Sequence, residues 1–510
     1  MILKAENLKN IADSGKVTVP LPSFAQLPEK VLQFGTGVLL RGLPDYFIHK
    51  ANQAGVFNGR IVVVKSTDQG DTSAFEKQNN LYTLCVRGIE AGKTVEENLI
   101  CAAISRVLSA TSQWQQILEF AANPELEVVI SNTTEVGIQL VEDSVQAQPP
   151  VSFPGKLLAV LLARYQAFAG DTTKGLLILP TELIPDNGTR LKEIIVQLAT
   201  QQQLDSNFLN WLTESTIFCN TLVDRIVPGK PEVTKLAALE AELGYHDDLL
   251  TMSEVYRLWA IEGNERVQQV LTFAAIDEGV KIAPDITIYR ELKLRLLNGT
   301  HTLSCGLAFL AGLATVKQAM DQELMAEFIS QLMQHEMALA IPYPVESKTA
   351  LDFSRKVLDR FRNPHLEHHW LSITMNYTSK LKMRVIPVLQ RYYDLFHEVP
   401  ERIALGFAAY LRFMQVTEQE NNKYYGNFAG NRYLVNDDKA AFFYELHQQP
   451  DKVNLVPVIL QNQELWGINL STLPGFSAAV HKYLNHLNEI GALNSLRKVG
   501  LTKVSKKTQV

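Results

Sequence analysis

The sequence predicts an α/β fold whose first half alternates strands with helices and whose second half is mainly helical. Three observations predict it. Apolar, β-branched runs at 30–34, 59–65, 126–130 and 175–180 are too short for helices and are separated by stretches of helical spacing. The first run ends in Gly35-Thr-Gly37, a turn between a strand and a helical stretch. Past about residue 280, helical periodicity dominates to about residue 498. Alternating strands and helices assemble a mostly parallel sheet.

Taken in order, residues 1–28 read as a polar, loosely docked lead-in. Lys30–Phe34 is a buried strand, and Leu43–Asn52 carries a helical pattern. A strand, a glycine turn and a helix form a phosphate cradle, because glycine lets the backbone approach a pyrophosphate and the helix start supplies N–H donors. Gly35 and Gly37 take the first two glycine places of that motif; Leu40 stands at the third, with Gly42 two residues on. The next strand, Gly59–Lys65, ends at Ser66-Thr67-Asp68. A Rossmann unit reads the adenosine ribose at that point, so Asp68 favours NAD, while Lys65 and Ser66 leave NADP open. Leu81 to Val107 reads as hairpin strands inserted in the sheet, with a break at Ala91-Gly92-Lys93. Leu126–Ile130 ends in Ser131-Asn132-Thr133-Thr134-Glu135, polar residues at the strand end where parallel sheets bind ligands. Gly175–Pro180 is followed by a polar turn holding Glu182 and Asn187, and Phe218–Pro228 contains a short strand followed by the charged pair Asp224–Arg225. Residues 1–280 are therefore a Rossmann-type dinucleotide-binding domain and 281–510 a mainly helical one.

A chain of 510 residues has room for both cores. Its net charge of −6 argues against nucleic acid or an anionic membrane surface as partner. The best apolar run, 303–316, is too short to cross a bilayer, and the first residues lack the pattern of a secretory signal. Cys85, Cys101, Cys219 and Cys305 form no CxxC pair and suit reduced thiols, so a cytoplasmic setting is expected. The oligomeric state is left open.

The chemistry concentrates in the helical stretch Tyr289–Leu310. At about 100° per residue, Lys293, Asn298 and His301 share an arc of roughly 140°, beside leucines that form a dry wall. A proton acceptor, a hydrogen-bond donor and an orienting group are what carbonyl or alcohol chemistry requires. His365, His368 and His369 lie near Glu367; the reading takes them as substrate-facing or exposed, His368 foremost, and expects no metal. Arg362, Lys380, Lys382 and Arg384 form a basic group suited to a carboxylate or phosphate.

These residues resemble the mannitol dehydrogenase family of long-chain polyol and sugar-acid dehydrogenases. The resemblance rests on Phe34-Gly35-Thr-Gly37-Val-Leu-Leu-Arg41, Ser131–Glu135, Val223-Asp224-Arg225-Ile-Val-Pro, Lys293-x4-Asn298-x2-His301 and Arg360-Phe-Arg-Asn-Pro364. It implies cofactor contacts from Phe34, Gly35, Gly37, Leu39, Arg41, Asn132, Thr133 and Glu135. It implies a general acid/base at Lys293, an oxyanion donor at Asn298, an orienting group at His301, and substrate contacts from Asp224 and Lys380. The family's second oxyanion asparagine is Leu183 here, leaving Asn187 or Glu182 as neighbours for that place, and its later substrate arginine is Ser372. Together with segments such as Leu243-Gly-Tyr-His-Asp247, these departures place the chain nearest the sugar-acid branch. A small sugar acid is thus the expected partner, with NAD as cofactor. Activity on fructuronate, mannitol or a hexitol phosphate stays open, as does a dinucleotide-sensing protein without turnover.

Overall fold

The apolar runs become strands because alternate residues enter different cores. In β1 (Glu29–Phe34) Val31 joins one core, while Leu32 and Phe34 join another. In β2 (Arg60–Lys65) Ile61 and Val63 join the first core, Val62 and Val64 the second. A strand buried on both faces reads as a continuous apolar run, which is how a covered parallel sheet appears in sequence. The computed structural model describes residues 1–67, 71–133, 137–449 and 455–500; Asp68 and Glu135 lie outside the described residues.

The chain divides into two compact units: Met1–Gly88 with Thr94–Ile286, and Ile89–Lys93 with Thr287 onward. The first contains β1 and β2, then β3 (Tyr82–Glu90), β4 (Lys93–Cys101), β5 (Ile104–Ser109), β6 (Val128–Ser131), β7 (Leu177–Pro180) and β8 (Ile217–Phe218), with the tip of the β3–β4 hairpin assigned to the second unit. These are followed by β9 (Thr221–Asp224), β10 (Thr251–Glu254), β11 (Leu258–Glu262) and β12 (Val280–Ala283). The main sheet runs β5-β2-β1-β6-β7-β8, all parallel. Counted within the sheet that order is 3-2-1-4-5-6, the Rossmann order, and it reverses direction between β1 and β6.

Two expectations are corrected here. Residues 82–101 are strands but not members of the main sheet: β3 lies between β10 and β4 in a sheet of their own, and only β5 joins the parallel sheet. The lead-in is docked rather than loose. Leu3 and Ile11 are buried in a small core with Leu81, Tyr245 and Leu250, and Thr18 bridges to Leu99.

The second unit is helical around Glu401–Phe413, a helix buried on nearly every side. Gly406 permits this, since a Cβ there would stand 2.8 Å from Leu303 Cδ2 and 2.9 Å from Leu303 O. The sequence reading leaves out three short strands, β13 (Val416–Glu420), β14 (Lys423–Phe428) and β15 (Asn431–Leu434), which form an antiparallel meander. Among the described residues no helix is long and apolar enough to cross a membrane.

Candidate active site

At the reversal point of a parallel sheet the loops diverge and leave a crevice for ligand. Here β1 ends at Phe34 and β6 at Ser131. Gly35 follows with φ +129°, and a Cβ on it would lie 2.9 Å from Leu40 Cδ1 and 3.1 Å from Asn132 O. Only glycine lets these two loops come so close in that conformation. A Cβ on Gly37 would meet nothing within 4 Å, so the turn opens onto free space. Phe34 is buried beneath it, edge-on to Phe153 with ring centroids 5.2 Å apart, and Leu39 is half-buried. Arg41 is anchored inside the first unit: Nη1 donates to Leu249 O at 2.6 Å, and the guanidinium lies over Tyr82 at 5.5 Å.

The loop after β6 is tied to the loop after β7. Asn132 Nδ2 donates to Thr181 O at 3.1 Å, and Thr133 donates through N and Oγ1 to Glu182 Oε1 at 2.8 and 2.9 Å. Ser131 Oγ donates to the other oxygen of Glu182 at 3.2 Å. Glu182 is thus the organising residue of this edge of the crevice, visible only once β6 and β7 are paired. At the end of β2, Ser66 Oγ is buried without a hydrogen-bond partner, at the position that meets a ribose in this fold. The glycine cradle, the open space above it and this orphaned hydroxyl fit a dinucleotide.

Asn187 does not fit the substrate role expected of it. It is fully buried, its Nδ2 donates to Pro180 O, Glu182 O and Thr221 O at 3.0, 3.1 and 3.2 Å, and its Oδ1 accepts from Gly188 N and Thr221 N. An amide with every donor and acceptor committed has nothing left for a ligand. Leu183, by contrast, is exposed. Asp224 is half-buried at the end of β9, opposite Leu258. Beside it Arg225 is buried, donates to Glu254 O at 2.9 Å and Gly42 O at 2.6 Å, and so braces the helix that follows the glycine turn.

In the second unit Thr287–Leu310 is helical throughout, but Lys293–Gly299 winds as a π-helix between α-helices Thr287–Leu292 and Thr300–Leu310. The arc reckoned for an α-helix therefore does not hold across it. Such π turns gather at functional sites. Lys293 and Asn298 are half-buried on this turn, and Asn298 O accepts from Thr302 Oγ1 at 2.7 Å. His301, on the α-helix that follows, is 8% exposed and stacks on Phe361 with centroids 4.1 Å apart and planes 6° from parallel. His368 and Trp370 meet the His301 ring edge-on at 5.2 and 5.7 Å. Its Nε2 is buried without a partner. Burial, helped by His368, Arg360, Arg384 and Lys380, holds the His301 pKa well below the ordinary imidazole value, so the ring is neutral. Burial likewise lowers His368 and, with Arg384 alongside, Lys380, whose Nζ donates to Ile373 O at 2.9 Å. The structure thus brings His301, His368 and Lys380 into one electrostatic neighbourhood. Phe361, quoted in sequence only as part of the Arg360–Pro364 motif, and Trp370, absent from the sequence reading, shape it. Among the described residues no group of three or more His, Cys, Asp or Glu side chains is arranged to hold a metal ion.

Comparison with known proteins gives this arrangement a context. Residues 29–274 match the model of the mannitol dehydrogenase Rossmann domain, and residues 285–488 that of the mannitol dehydrogenase C-terminal domain. The chain belongs to the mannitol dehydrogenase family. It is an oxidoreductase acting on CH–OH groups. It is 38% identical over 480 residues to the altronate oxidoreductase of Bacillus subtilis (strain 168), covering 93% of this chain and 96% of that one. It is 35% identical over 475 residues to that of Yersinia enterocolitica serotype O:8 / biotype 1B, covering 91% and 95%. In fold it resembles Pseudomonas fluorescens mannitol 2-dehydrogenase, solved as a ternary complex with NAD and D-mannitol, with a TM-score of 0.66, 22% identity and 99% and 100% coverage. It also resembles a substrate-free D-sorbitol dehydrogenase, with a TM-score of 0.78, 19% identity and 97% and 100% coverage.

Proposed function

We propose that this member of the family is a tagaturonate reductase, in the other direction an altronate oxidoreductase, which interconverts D-altronate and D-tagaturonate with NAD(H) in hexuronate catabolism. The observation that carries the reading is the match to altronate oxidoreductases at 34–38% identity along nearly the whole of both chains. The crevice at Gly35, Gly37, Asn132 and Thr133, with Ser66 at the ribose end, would hold the dinucleotide. When bound, that group supplies or accepts the hydride.

The remaining work falls to side chains. In reduction, the Lys293 ammonium gives its proton to the carbonyl oxygen as hydride reaches the carbonyl carbon, completing the alcohol. In oxidation, neutral Lys293 takes the hydroxyl proton. Asn298 donates an amide N–H to the same oxygen, where negative charge develops. Neutral His301 offers its unpartnered Nε2 to a substrate hydroxyl, in an orientation set by Phe361 and Trp370. Lys380 and His368, which share the electrostatic neighbourhood of His301, contact the rest of the substrate. Polarisation rests on an ammonium and an amide, so activity should survive EDTA.

The test is NAD+ reduction followed by absorbance, with D-altronate and D-mannitol offered separately to the wild type and to Lys293→Ala. The reading expects altronate to be oxidised by the wild type only, with NADH binding retained in the variant. Wild-type-like turnover by Lys293→Ala would refute the acid/base assignment, and preference for mannitol the substrate.

A further inference from the structure

We infer that Arg384 is the residue that grips the substrate carboxylate, and so sets the preference for sugar acids over neutral sugars; the inference rests on the sugar-acid reading above. The basic group seen in the sequence is not uniform in the structure. Arg362 pairs with Asp359 at 3.7 Å, and exposed Lys382 donates to Glu464 O at 3.2 Å. Lys380 Nζ is turned onto Ile373 O. Arg295, in contact with the same helix, is spent on Glu291 at 2.8 Å and on Met383 O and Arg384 O.

Arg384 differs from all of these. It is only half-buried as a residue, yet its Nε is shut away from solvent with no hydrogen-bond partner. Nη1 is fixed to Thr302 Oγ1 at 3.0 Å and reaches Asn298 O at 3.5 Å, which anchors the guanidinium against the candidate catalytic helix. No acidic side chain among the described residues forms an ion pair with it. The edge of a guanidinium made by Nε–H and Nη2–H matches the two oxygens of a carboxylate, and that edge carries the orphaned donor here. A buried N–H without an acceptor and a desolvated cation without a counter-ion are both costly. Arg384 also follows Lys380 by four residues on Tyr377–Arg384, a spacing at which like charges repel. A single carboxylate on the substrate would relieve all three costs.

The test compares D-tagaturonate with D-tagatose, the same carbon skeleton carrying CH2OH in place of the carboxylate, in steady-state NADH oxidation by the full chain. Arg384→Gln should raise KM for tagaturonate on the order of 100-fold with kcat changed far less, as expected when one partner of a desolvated charge pair is lost. The selectivity ratio of tagaturonate over tagatose in kcat/KM should collapse by a similar factor. Arg384→Lys, which keeps the charge but not the fork, should fall between; it also serves if Arg384→Gln fails to fold. Added guanidinium should partly restore Arg384→Ala on tagaturonate. Equal losses on both substrates, or an unchanged ratio, would overturn the inference. If the wild type turns over tagaturonate and the ratio holds in the variants, the assignment of Arg384 alone fails. If the wild type does not turn over tagaturonate, the proposed function fails and the inference falls with it.

Discussion

Replacing Asp45 by asparagine should stabilise the protein at neutral and alkaline pH and do little in acid. Asp45 sits at the start of the helix Pro44–Gln53, the second helix after the glycine turn, and is fully buried. Burial pushes its carboxyl from 3.8 up to about 8, against smaller opposing effects of Gln33 and the Arg41 charge. The folded pKa lies above the unfolded one, so the neutral acid favours the fold. That stabilisation is complete below about pH 4 and is lost as pH rises through about 8. Each pH unit inside the window costs about 1.4 kcal/mol, so the carboxylate should weaken the wild type by about 2.7 kcal/mol between pH 5 and 7. The amide of the variant would be neutral throughout and lack this slope. Urea unfolding of wild type and Asp45→Asn at pH 5, 7 and 9 measures it. The gap between them should open in favour of the variant from pH 5 to 7, then level off above about pH 8. Parallel profiles for the two proteins would refute the account of a buried neutral acid.

Three further outcomes follow from the geometry. Gly35→Ala forces a Cβ into contact with Leu40 and Asn132 at positive φ, and should weaken NADH binding at least about tenfold and cost about 1–3 kcal/mol, read by fluorescence titration and unfolding. Asn187→Ala strips a buried hub of its hydrogen bonds and should cost about 2–4 kcal/mol while leaving the KM for the sugar acid near wild type in the folded fraction; a selective rise in that KM would restore Asn187 to the substrate site. Because His301 is held neutral with a pKa well below its unfolded value, its contribution to stability is present above about pH 6.5 and is lost as pH falls, so His301→Asn should flatten the acid limb of stability between about pH 6.5 and 5.

How far the sequence could be read depended on whether the determining contacts were local. Alternation in β1 and β2, the glycine turn and the helical period after Thr287 are written in neighbouring residues, so these elements were legible. Strand partnership is not local. The pairing of β3 with β10 joins Leu84 to Thr251, and no pattern inside 82–101 shows that this hairpin leaves the main sheet. The meander β13–β15 escaped notice because its strands are short and mostly exposed, without the apolar alternation that marks a half-buried strand. The π turn at Lys293–Gly299 is a change of hydrogen-bond register that apolar spacing does not report.

The candidate site divides in the same way. Lys293, Asn298 and His301 were singled out by residue type and spacing, and the structure places all three on one helical run, Thr287–Leu310. The Phe361 stack under His301 and the Glu182 clamp on Thr133 depend on segments 60 and 49 residues away. Asn187 misled because a polar residue after a strand looks the same whether it meets a ligand or braces a turn.

The central claim is that a sugar acid, reduced by NADH, is the substrate. The most direct measurement is NADH oxidation by the purified protein with D-tagaturonate, D-fructuronate and D-fructose offered separately. The account predicts kcat/KM for tagaturonate above either alternative by at least about tenfold, or about 1.4 kcal/mol of transition-state binding. Preference for fructose, or no turnover of any of the three by a protein that still binds NADH, would contradict it.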